Sequence, residues 1–297
     1  MPAATLRGRF VWHELMTTDP DGAARFYPGV TGWKVQAWEQ DPSYRLWMAG
    51  GIPMGGLMRL PEEARRLGAP PSWLMYVGVP DVDATVRQAA SLGARTLVPP
   101  QTIPVGRFAV LEDPQGATFA LYKPSGERPG SDEATLGDFS WHELATTDYK
   151  AAWEFYRALF GWQSTDAMDM GPAGMYWMFG RGSRSLGGMY NKPREMAGPP
   201  HWLSYVLVPD ADKAAATVTR LGGRVMRGPM DVPGGSRIAM CVDAQGAAFA
   251  VHSEAPAKPR AKPKPKPKKK AARPKPRKKA AKKKAAKRKH ASKKRRR

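Results

Sequence analysis

The sequence WHELMTTDPDGAARFY at residues 12–27 returns as WHELATTDYKAAWEFY at residues 141–156. The second copy begins at Trp141, 129 residues after Trp12. Self-similarity of this length at a fixed offset is typical of an internal duplication, and it decides the organisation of the whole chain.

Further segments repeat downstream in the same order. PPSWLMYVGVPDVD from Pro70 matches PPHWLSYVLVPDAD from Pro199, and DPQGATFALY from Asp113 matches DAQGAAFAVH from Asp243. We therefore predict two homologous domains, at residues 1–123 and 137–254, joined by a linker at 124–136 that is rich in Gly, Ser, Pro and acidic residues. A tail of different composition occupies residues 255–297.

Each half shows one order of elements twice. Strands are predicted at 10–17 and 139–146, each followed by an amphipathic helix and three short strands. In the second half, Gly161 ends the helix. In the first half, Pro28 occupies the place of Arg157, so we predict a shorter helix there. Two strand–helix–strand–strand–strand modules per half give an α+β fold.

Charge is concentrated at one end of the chain. The 48 Lys and Arg against 26 Asp and Glu give a net charge of +22, and residues 255–297 hold 24 of the basic residues and no acidic one. Residues 1–254 are therefore nearly neutral, which excludes a uniformly basic nucleic-acid-binding fold. The tail also lacks aromatic residues and Val, Ile, Leu and Met. It cannot bury enough apolar surface to fold alone, and we predict that it is disordered when free.

The tail predicts a polyanionic partner, either nucleic acid or another polyanion. It resembles the C-terminal tails of linker histones, and without aromatic side chains or a fixed fold it has no means of reading bases, so sequence-independent binding is expected. The residues predicted to contact phosphate are Lys268, Lys269, Lys270, Lys278, Lys279, Lys282, Lys283, Lys284, Arg295, Arg296 and Arg297.

The remaining composition indicates the compartment. The single cysteine, Cys241, excludes an internal disulfide framework. The start of the sequence shows no apolar run of signal-peptide length, and no segment approaches a membrane span. We expect a cytoplasmic protein with no membrane partner, associated with the nucleoid where the tail binds chromosomal DNA. The sequence does not fix the oligomeric state.

The repeated motifs TTD-x-x-x-A-x-x-FY-x-x-x-x-GW and D-P-Q-G-A-x-F-A resemble those of the vicinal oxygen chelate superfamily, which contains glyoxalase I, bleomycin-resistance proteins and extradiol dioxygenases. The resemblance covers residues 8–123 and 137–253. It implies that each half curls into a cup-shaped mixed sheet whose concave face holds a ligand. In the catalytic members, that face also holds a divalent metal.

The resemblance also allows the metal to be tested. In metal-dependent relatives the first ligand stands seven residues before the helix-starting Asp, and a Glu stands four residues after the Gly of the D-P-x-G turn. Those positions hold Trp12, Leu74, Ala120, Trp141, Leu203 and Ala250. None of these side chains is a metal ligand. We therefore predict no metal site and no cofactor, with a divalent metal in a rearranged site as the alternative.

Strand alternation separates the two members of each His-Glu pair, because successive residues face opposite sides of a sheet. We expect Trp12 and Glu14 to face the cup while His13 faces the helix. The same alternation places Trp141 and Glu143 in the second cup. A one-residue bulge would reverse these directions and bring the histidines inward.

The predicted catalytic residues are Glu14 and Glu143, as general bases in an aromatic cavity. The predicted ligand-binding residues are Trp12, Tyr76, Arg107, Trp141, Tyr205 and Arg237. Two alternatives stay open. Each glutamate pairs with the arginine of its own half in a structural ion pair, or the arginines hold an anionic ligand. The tyrosines are otherwise core residues.

The paired glycines at 55–56 and 187–188 precede no helix, so they indicate a bulge or a close backbone approach rather than a phosphate loop.

The favoured function is small-molecule binding in a cup without the superfamily's metal, combined with sequence-independent nucleic-acid binding by the tail. Whether the domains catalyse a reaction stays open. The enzyme alternative is a lyase, isomerase or dioxygenase that uses a rearranged metal site or a glutamate base. A third alternative is a non-catalytic, nucleoid-associated module that only presents the tail.

Overall fold

The computed structural model describes residues 6–126 and 133–255. In the first half the strands are β1 Phe10–Thr17, β2 Lys34–Trp38, β3 Asp41–Ala49, β4 Ile52–Arg59, β5 Ser72–Gly78, β6 Arg95–Ile103, β7 Gly106–Glu112 and β8 Thr118–Pro124, and the helices are α1 Pro20–Thr31, α2 Glu62–Arg66 and α3 Val82–Ser91. In the second half the strands are β9 Phe139–Thr146, β10 Gln163–Asp169, β11 Met175–Arg181, β12 Arg184–Asn191, β13 His201–Leu207, β14 Arg224–Asp231, β15 Arg237–Val242 and β16 Ala248–Ser253, and the helices are α4 Tyr149–Phe160, α5 Ala211–Arg220 and a 3-10 turn at Gly171–Ala173. The tail residues predicted to contact phosphate lie outside the described residues.

Each half forms one eight-stranded mixed sheet. The strand order is β2-β3-β4-β1-β5-β8-β7-β6 in the first half and β10-β11-β12-β9-β13-β16-β15-β14 in the second. The motif-bearing strand β1 pairs in parallel with β4 and antiparallel with β5. The α+β fold with two strand–helix–strand–strand–strand modules per half is confirmed, and the repeated WHEL motif lies on a central strand of each sheet.

The helix that follows the second motif begins at an aspartate cap and ends at a glycine cap. Asp148 accepts hydrogen bonds from the backbone N–H groups of Lys150 and Ala151, which satisfies two donors at the start of α4. Gly161 ends the helix in the left-handed conformation, with a φ of 71°.

The prediction of a shorter first helix is wrong. Helix α1 has 12 residues, the same number as α4, and Pro28 lies inside it. Proline removes one helical hydrogen bond, but Phe26, Tyr27 and Val30 are all buried on the same helix. Their burial against the core offsets the loss of that bond.

The two halves share their cores. One apolar cluster combines Phe119 and Leu121 of β8 with Tyr156 and Phe160 of α4, so a helix of the second half packs on a strand of the first. The other cluster is the reciprocal one and combines Phe26 and Tyr27 of α1 with Val218 of α5 and Phe249 of β16. All described residues belong to one compact unit, Met1–Pro256.

Hydrogen bonds between the halves follow the same reciprocal pattern. The Tyr27 hydroxyl donates to Oδ2 of Asp243 at 3.0 Å, and the Tyr156 hydroxyl donates to Oδ2 of Asp113 at 2.9 Å. These residues are the Tyr of FY and the Asp of D-P-Q-G or D-A-Q-G. The repeated motifs thus join each helix to a turn of the other half.

The indoles of the two GW motifs also cross between the halves. Trp33 Nε1 donates to the Gly137 carbonyl at 2.7 Å, and Trp162 Nε1 donates to the Gly8 carbonyl at 2.8 Å. Both tryptophans are 2% exposed, so an indole N–H without such a partner would carry an uncompensated cost of desolvation.

His13 and His142 meet at the interface between the halves. Their Nε2 atoms are 2.7 Å apart, and the rings stack on Phe139 and Phe10 at centroid distances of 3.7 and 3.5 Å. Burial, and then the neighbouring His142, holds the pKa of His13 well below its ordinary value, and burial lowers the pKa of His142 to about 3. The pair is therefore neutral at pH 7, with one N–H donating to the other ring.

Within the described ranges, none of the helices is long and apolar enough to cross a membrane.

The Tyr156–Asp113 bond gives the first testable prediction. Tyr156→Phe removes the donor and leaves a buried carboxylate oxygen of Asp113 with one partner fewer, so the free energy of unfolding should fall by about 1–3 kcal/mol in urea titrations. Tyr149→Phe, on the same helix, is the matched control and should change it by less than about 0.5 kcal/mol. Equal effects of the two substitutions would show that the Tyr156–Asp113 hydrogen bond does not stabilise the contact between the halves.

The histidine pair gives the second prediction, which concerns pH. Because the folded pKa values are lowered, the unfolded chain takes up protons below about pH 6.5 that the folded chain does not. The contribution of the neutral histidine pair to the free energy of unfolding is present above the unfolded pKa of about 6.5, and it is lost as pH falls from there towards the folded pKa values. Between pH 7.5 and 5.5 each histidine should contribute a loss of about 1.4 kcal/mol.

Urea titrations of the wild type and of the double variant His13→Gln, His142→Gln at these two pH values measure this loss. The other titratable groups are common to both proteins, so the difference in pH dependence isolates the pair. An equally steep loss in the double variant would show that the histidines are not its source.

Candidate functional site

The first cup consists of Trp12, Glu14, Tyr44, Tyr76 and Ala120. Trp12 and Met16 pack with Tyr76 and Ala120 in one apolar cluster on the cup face of the sheet. Leu15 packs on the opposite face with the residues of α1. This is the orientation that strand alternation predicts.

The alternative register, with the histidines inward, is wrong. The irregularity in β1 falls between Phe10 and Trp12, ahead of the motif, and pairing with β5 is continuous from Trp12 to Met16. The histidines accordingly lie at the interface between the halves, on the face opposite the glutamates.

Glu14 is a buried carboxylate held by two phenols. The Tyr44 hydroxyl donates to Oε1 and the Tyr76 hydroxyl donates to Oε2, each at 2.7 Å. Trp12 Nε1 in turn donates to the Tyr44 oxygen at 3.1 Å. Burial raises the pKa of Glu14, while the two hydrogen bonds from tyrosine act in the opposite direction.

The second cup consists of Trp141, Glu143, Tyr176, Tyr205 and Ala250. The Tyr176 hydroxyl donates to Oε2 of Glu143 at 2.9 Å, and Trp141 Nε1 donates to the Tyr176 oxygen at 2.8 Å. Burial again raises the pKa of Glu143.

One detail differs from the first cup. The Tyr205 hydroxyl is buried and makes no hydrogen bond with ordinary geometry within the described part of the chain. It is close enough to Glu143 to lower the pKa of that carboxyl. Tyr76, at the equivalent place, is fully engaged with Glu14. The Tyr205 hydroxyl therefore lies beside Glu143 without the direct geometry that joins Tyr76 to Glu14.

Sequence reasoning missed Tyr44 and Tyr176. Each lies across a glycine of the neighbouring strand. A Cβ on Gly56 would lie 1.9 Å from the Tyr44 oxygen, and one on Gly188 would lie 2.2 Å from the Tyr176 ring. The expectation of a close approach at the paired glycines is thereby confirmed. The repeat itself could have identified them, because Tyr44 and Tyr176 precede Gly56 and Gly188 by the same number of residues in the two halves.

The alternative in which Glu14 pairs with Arg107 and Glu143 with Arg237 is wrong, because neither pair forms. Arg107 makes a bidentate ion pair with Asp83, with Nε 2.6 Å from Oδ2. The physical reason is again alternation. Phe108 and Val110 of β7 face the first cup, so Arg107 points to the opposite face, where α3 begins.

Arg237 behaves in the same way in the second half. It pairs with Asp212, and its Nη1 lies 3.0 Å from Oδ1 of Asp231. Ile238 and Met240 of β15 face the cup instead. Neither arginine is therefore placed to hold a ligand in its cup.

The donor set in the cups does not fit the superfamily's metal. The expected ligand positions of the first half, Trp12, Leu74 and Ala120, do meet in the apolar cluster on the cup face. They bring an indole, an isobutyl group and a methyl group, which leaves Glu14 as a single carboxylate. No group of three or more His, Cys, Asp and Glu suited to a metal occurs in residues 6–126 and 133–255. A divalent ion needs more such ligands.

A depression of about 400 Å³ lies elsewhere on the surface, near the end of α1. Its lining includes Pro28, Trp33, Ala49, Leu136 and Pro209 and no ionisable side chain. It shares no residue with either cup, and its lining offers no acid, base or charged group to a ligand.

Comparison with known proteins agrees with this architecture. Residues 12–122 match the family model described as glyoxalase-like domain. Residues 138–251 match the model of the glyoxalase/bleomycin resistance protein/dioxygenase superfamily.

Two curated relatives align with both halves. The protein named "Putative glyoxylase CFP32" from Mycobacterium tuberculosis is 32% identical over 253 residues, which cover 82% of this chain and 94% of that protein. The anthracycline biosynthesis protein DnrV from Streptomyces peucetius is 28% identical over 258 residues, covering 82% and 92%.

Solved structures show the same fold at low identity. The Mn(II)-bound glyoxalase from Novosphingobium aromaticivorans is 16% identical with a TM-score of 0.57, and 84% of this chain and 82% of that chain are covered. A variant of homoprotocatechuate 2,3-dioxygenase from B. fuscum is 17% identical with a TM-score of 0.60, covering 86% and 74%. The matched motifs, the paired eight-stranded sheets and these relatives agree, and the chain belongs to the glyoxalase/bleomycin resistance protein/dioxygenase superfamily as a tandem-domain member.

Proposed function

We propose that the two cups bind small molecules and do so without the superfamily's metal. One observation carries this proposal. A buried glutamate stands in each cup, beside the positions at which metal-dependent relatives place their ligands, and accepts hydrogen bonds from two tyrosine hydroxyls in the first cup and from one in the second. Such a carboxylate accepts a hydrogen bond from a ligand hydroxyl or N–H, and the aromatic walls favour a planar ring. The relative named an anthracycline biosynthesis protein makes polycyclic phenols the first compounds to screen.

Metal analysis tests the metal-free part of the proposal. The full chain, purified without a His tag and dialysed without chelator, should carry well below one equivalent of any transition metal by mass spectrometry. One equivalent per half would overturn the proposal and make a rearranged metal site the leading explanation.

Substitution of the glutamates tests the binding part. For a phenol found in the screen, Glu14→Gln or Glu143→Gln should weaken binding to the altered cup about 10- to 100-fold by calorimetry, since a hydrogen bond to a charged group contributes about 1.5–3 kcal/mol. Glu154→Gln, on the exposed surface of α4, is the matched control and should leave binding unchanged. Binding unaffected by all three substitutions would place the ligand outside the cups.

A second candidate is catalysis by proton abstraction, which the raised pKa of Glu14 favours. The same variants separate the two functions. Glu14→Gln or Glu143→Gln should abolish turnover if the carboxylate is the base, whereas a binding protein shows only altered affinity. The reaction class would then be that of a lyase, isomerase or dioxygenase of the superfamily.

We also propose that the tail gives sequence-independent binding to nucleic acid or another polyanion. Support comes from 24 basic residues with no acidic one in residues 255–297. Because each neutralised phosphate releases about 0.9 counterions, the affinity of the full chain for duplex DNA should fall steeply with salt. The matched control is residues 1–256, which form the compact unit without the tail. Comparable affinity of that fragment would refute the role of the tail.

The tail also raises a third candidate, a module that only presents it. Compaction of DNA by the full chain should then be unchanged by the glutamate substitutions.

A further inference from the structure

The two cups are built on one register but differ in charge. In each sheet a row of directly paired residues crosses the cup face. The row is Trp12, Tyr76, Ala120, Val110 and Val98 in the first half. It is Trp141, Tyr205, Ala250, Met240 and Arg227 in the second. The first cup therefore ends in an apolar side chain where the second cup ends in a cation.

Arg227 is directed at the second cup. Its pairing partner Met240 packs against that cup's apolar cluster, as Val98 packs against the cluster of the first. Its positive charge acts on Glu143, whose pKa is raised by burial and lowered in smaller measure by Arg227. The Arg227 side chain is exposed and forms no ion pair or hydrogen bond within the described part of the chain. It is a cation without a carboxylate of its own.

The side chains on the neighbouring strand also make the second cup more aromatic and more polar than the first. Tyr190 pairs with Ala145 and stacks on Tyr176 at a centroid distance of 6.1 Å. Its counterpart in the first cup is Met58, paired with Met16. The second cup thus adds a ring and a phenol where the first has a thioether.

The second cup also has a donor that is not fully engaged. The Tyr205 hydroxyl is buried, 2% exposed as a residue, and lies beside Glu143, but among the described residues it makes no hydrogen bond of ordinary geometry, although buried hydroxyls are normally hydrogen-bonded. An acceptor on a bound ligand would satisfy it.

We propose that the second cup selects a planar aromatic ligand carrying a carboxylate or similar anion, with the anion at Arg227 and a further ligand oxygen at Tyr205, whereas the first cup takes uncharged ligands. This inference rests on the proposed function of the cups as binding sites and assigns a ligand class to one of them. Guanidinium recognises carboxylates through paired hydrogen bonds. The aromatic side chains Trp141, Tyr176 and Tyr190 supply the surface for the ring.

Matched pairs of aromatic acids and their uncharged amides test the inference. Benzoate, 2-naphthoate and anthracene-2-carboxylate, each beside its carboxamide, are titrated calorimetrically into the full chain in 0.15 M KCl. For the best-fitting ring, the acid should bind about 10-fold more tightly than the amide, which corresponds to about 1.4 kcal/mol. Arg227→Gln should reduce this preference to less than about 2-fold, chiefly through weaker binding of the acid.

Three further variants separate the outcomes. Arg224→Gln makes the same charge change on the same strand and should preserve the preference, and any binding of acids to the tail is common to all variants. Val98→Arg should create acid preference in the first cup, seen as a second acid site. Glu143→Gln tests whether the amide occupies the second cup.

Equal preference in the wild type and Arg227→Gln, or equal loss in Arg224→Gln, overturns the inference. Amide binding that is lost in Glu143→Gln without any preference for the acid overturns the inference but keeps the proposed function. Failure of every acid and amide to bind overturns both.

Discussion

The reciprocal packing of the two halves is the constraint on which the rest of the structure depends. Each half places its first helix against a strand of the other, and a tyrosine on that helix donates to an aspartate turn across the interface. The arrangement has the self-complementary form of an isologous dimer, contained in one chain. Because the helices occupy one face of each sheet, the opposite faces are left to form the two cups.

This arrangement assigns a role to each residue of the duplicated motif through strand alternation. Along β1, His13 and Leu15 point to the interface and the core while Trp12 and Glu14 point to the cup. The histidine and the glutamate that are adjacent in each WHEL motif therefore lie on opposite faces of the sheet and have different partners. The histidines stay neutral in a stacked, buried pair, and the glutamates are desolvated carboxylates held by phenols. The same rule explains why Arg107 and Arg237 pair with helix-end aspartates and not with the glutamates.

Family membership and chemistry rest on different residues in this chain. The FY, GW and D-x-Q-G segments that place it in the superfamily join the halves, whereas the positions associated with a metal carry Trp, Leu and Ala on the cup face. A shared fold accordingly does not carry a shared reaction, because function lies in the site. The two cup faces differ although the interface is the same in both halves, with Arg227 in the second where the first has Val98.

The sequence by itself determined the duplication, the element order and the faces of the central strands, since these follow from local periodicity and capping. It also located the paired glycines as a close approach. Only the tertiary structure decided which distant side chains form hydrogen bonds with one another. Tyr44 reaches Glu14 only because the strand beside it carries Gly56, and Tyr156 meets Asp113 only because the halves exchange their helices. Pro28 is tolerated because neighbouring side chains are buried, a compensation that propensity does not register. Such contacts join residues far apart in the chain, and local sequence carries no information on which distant group will satisfy a given donor.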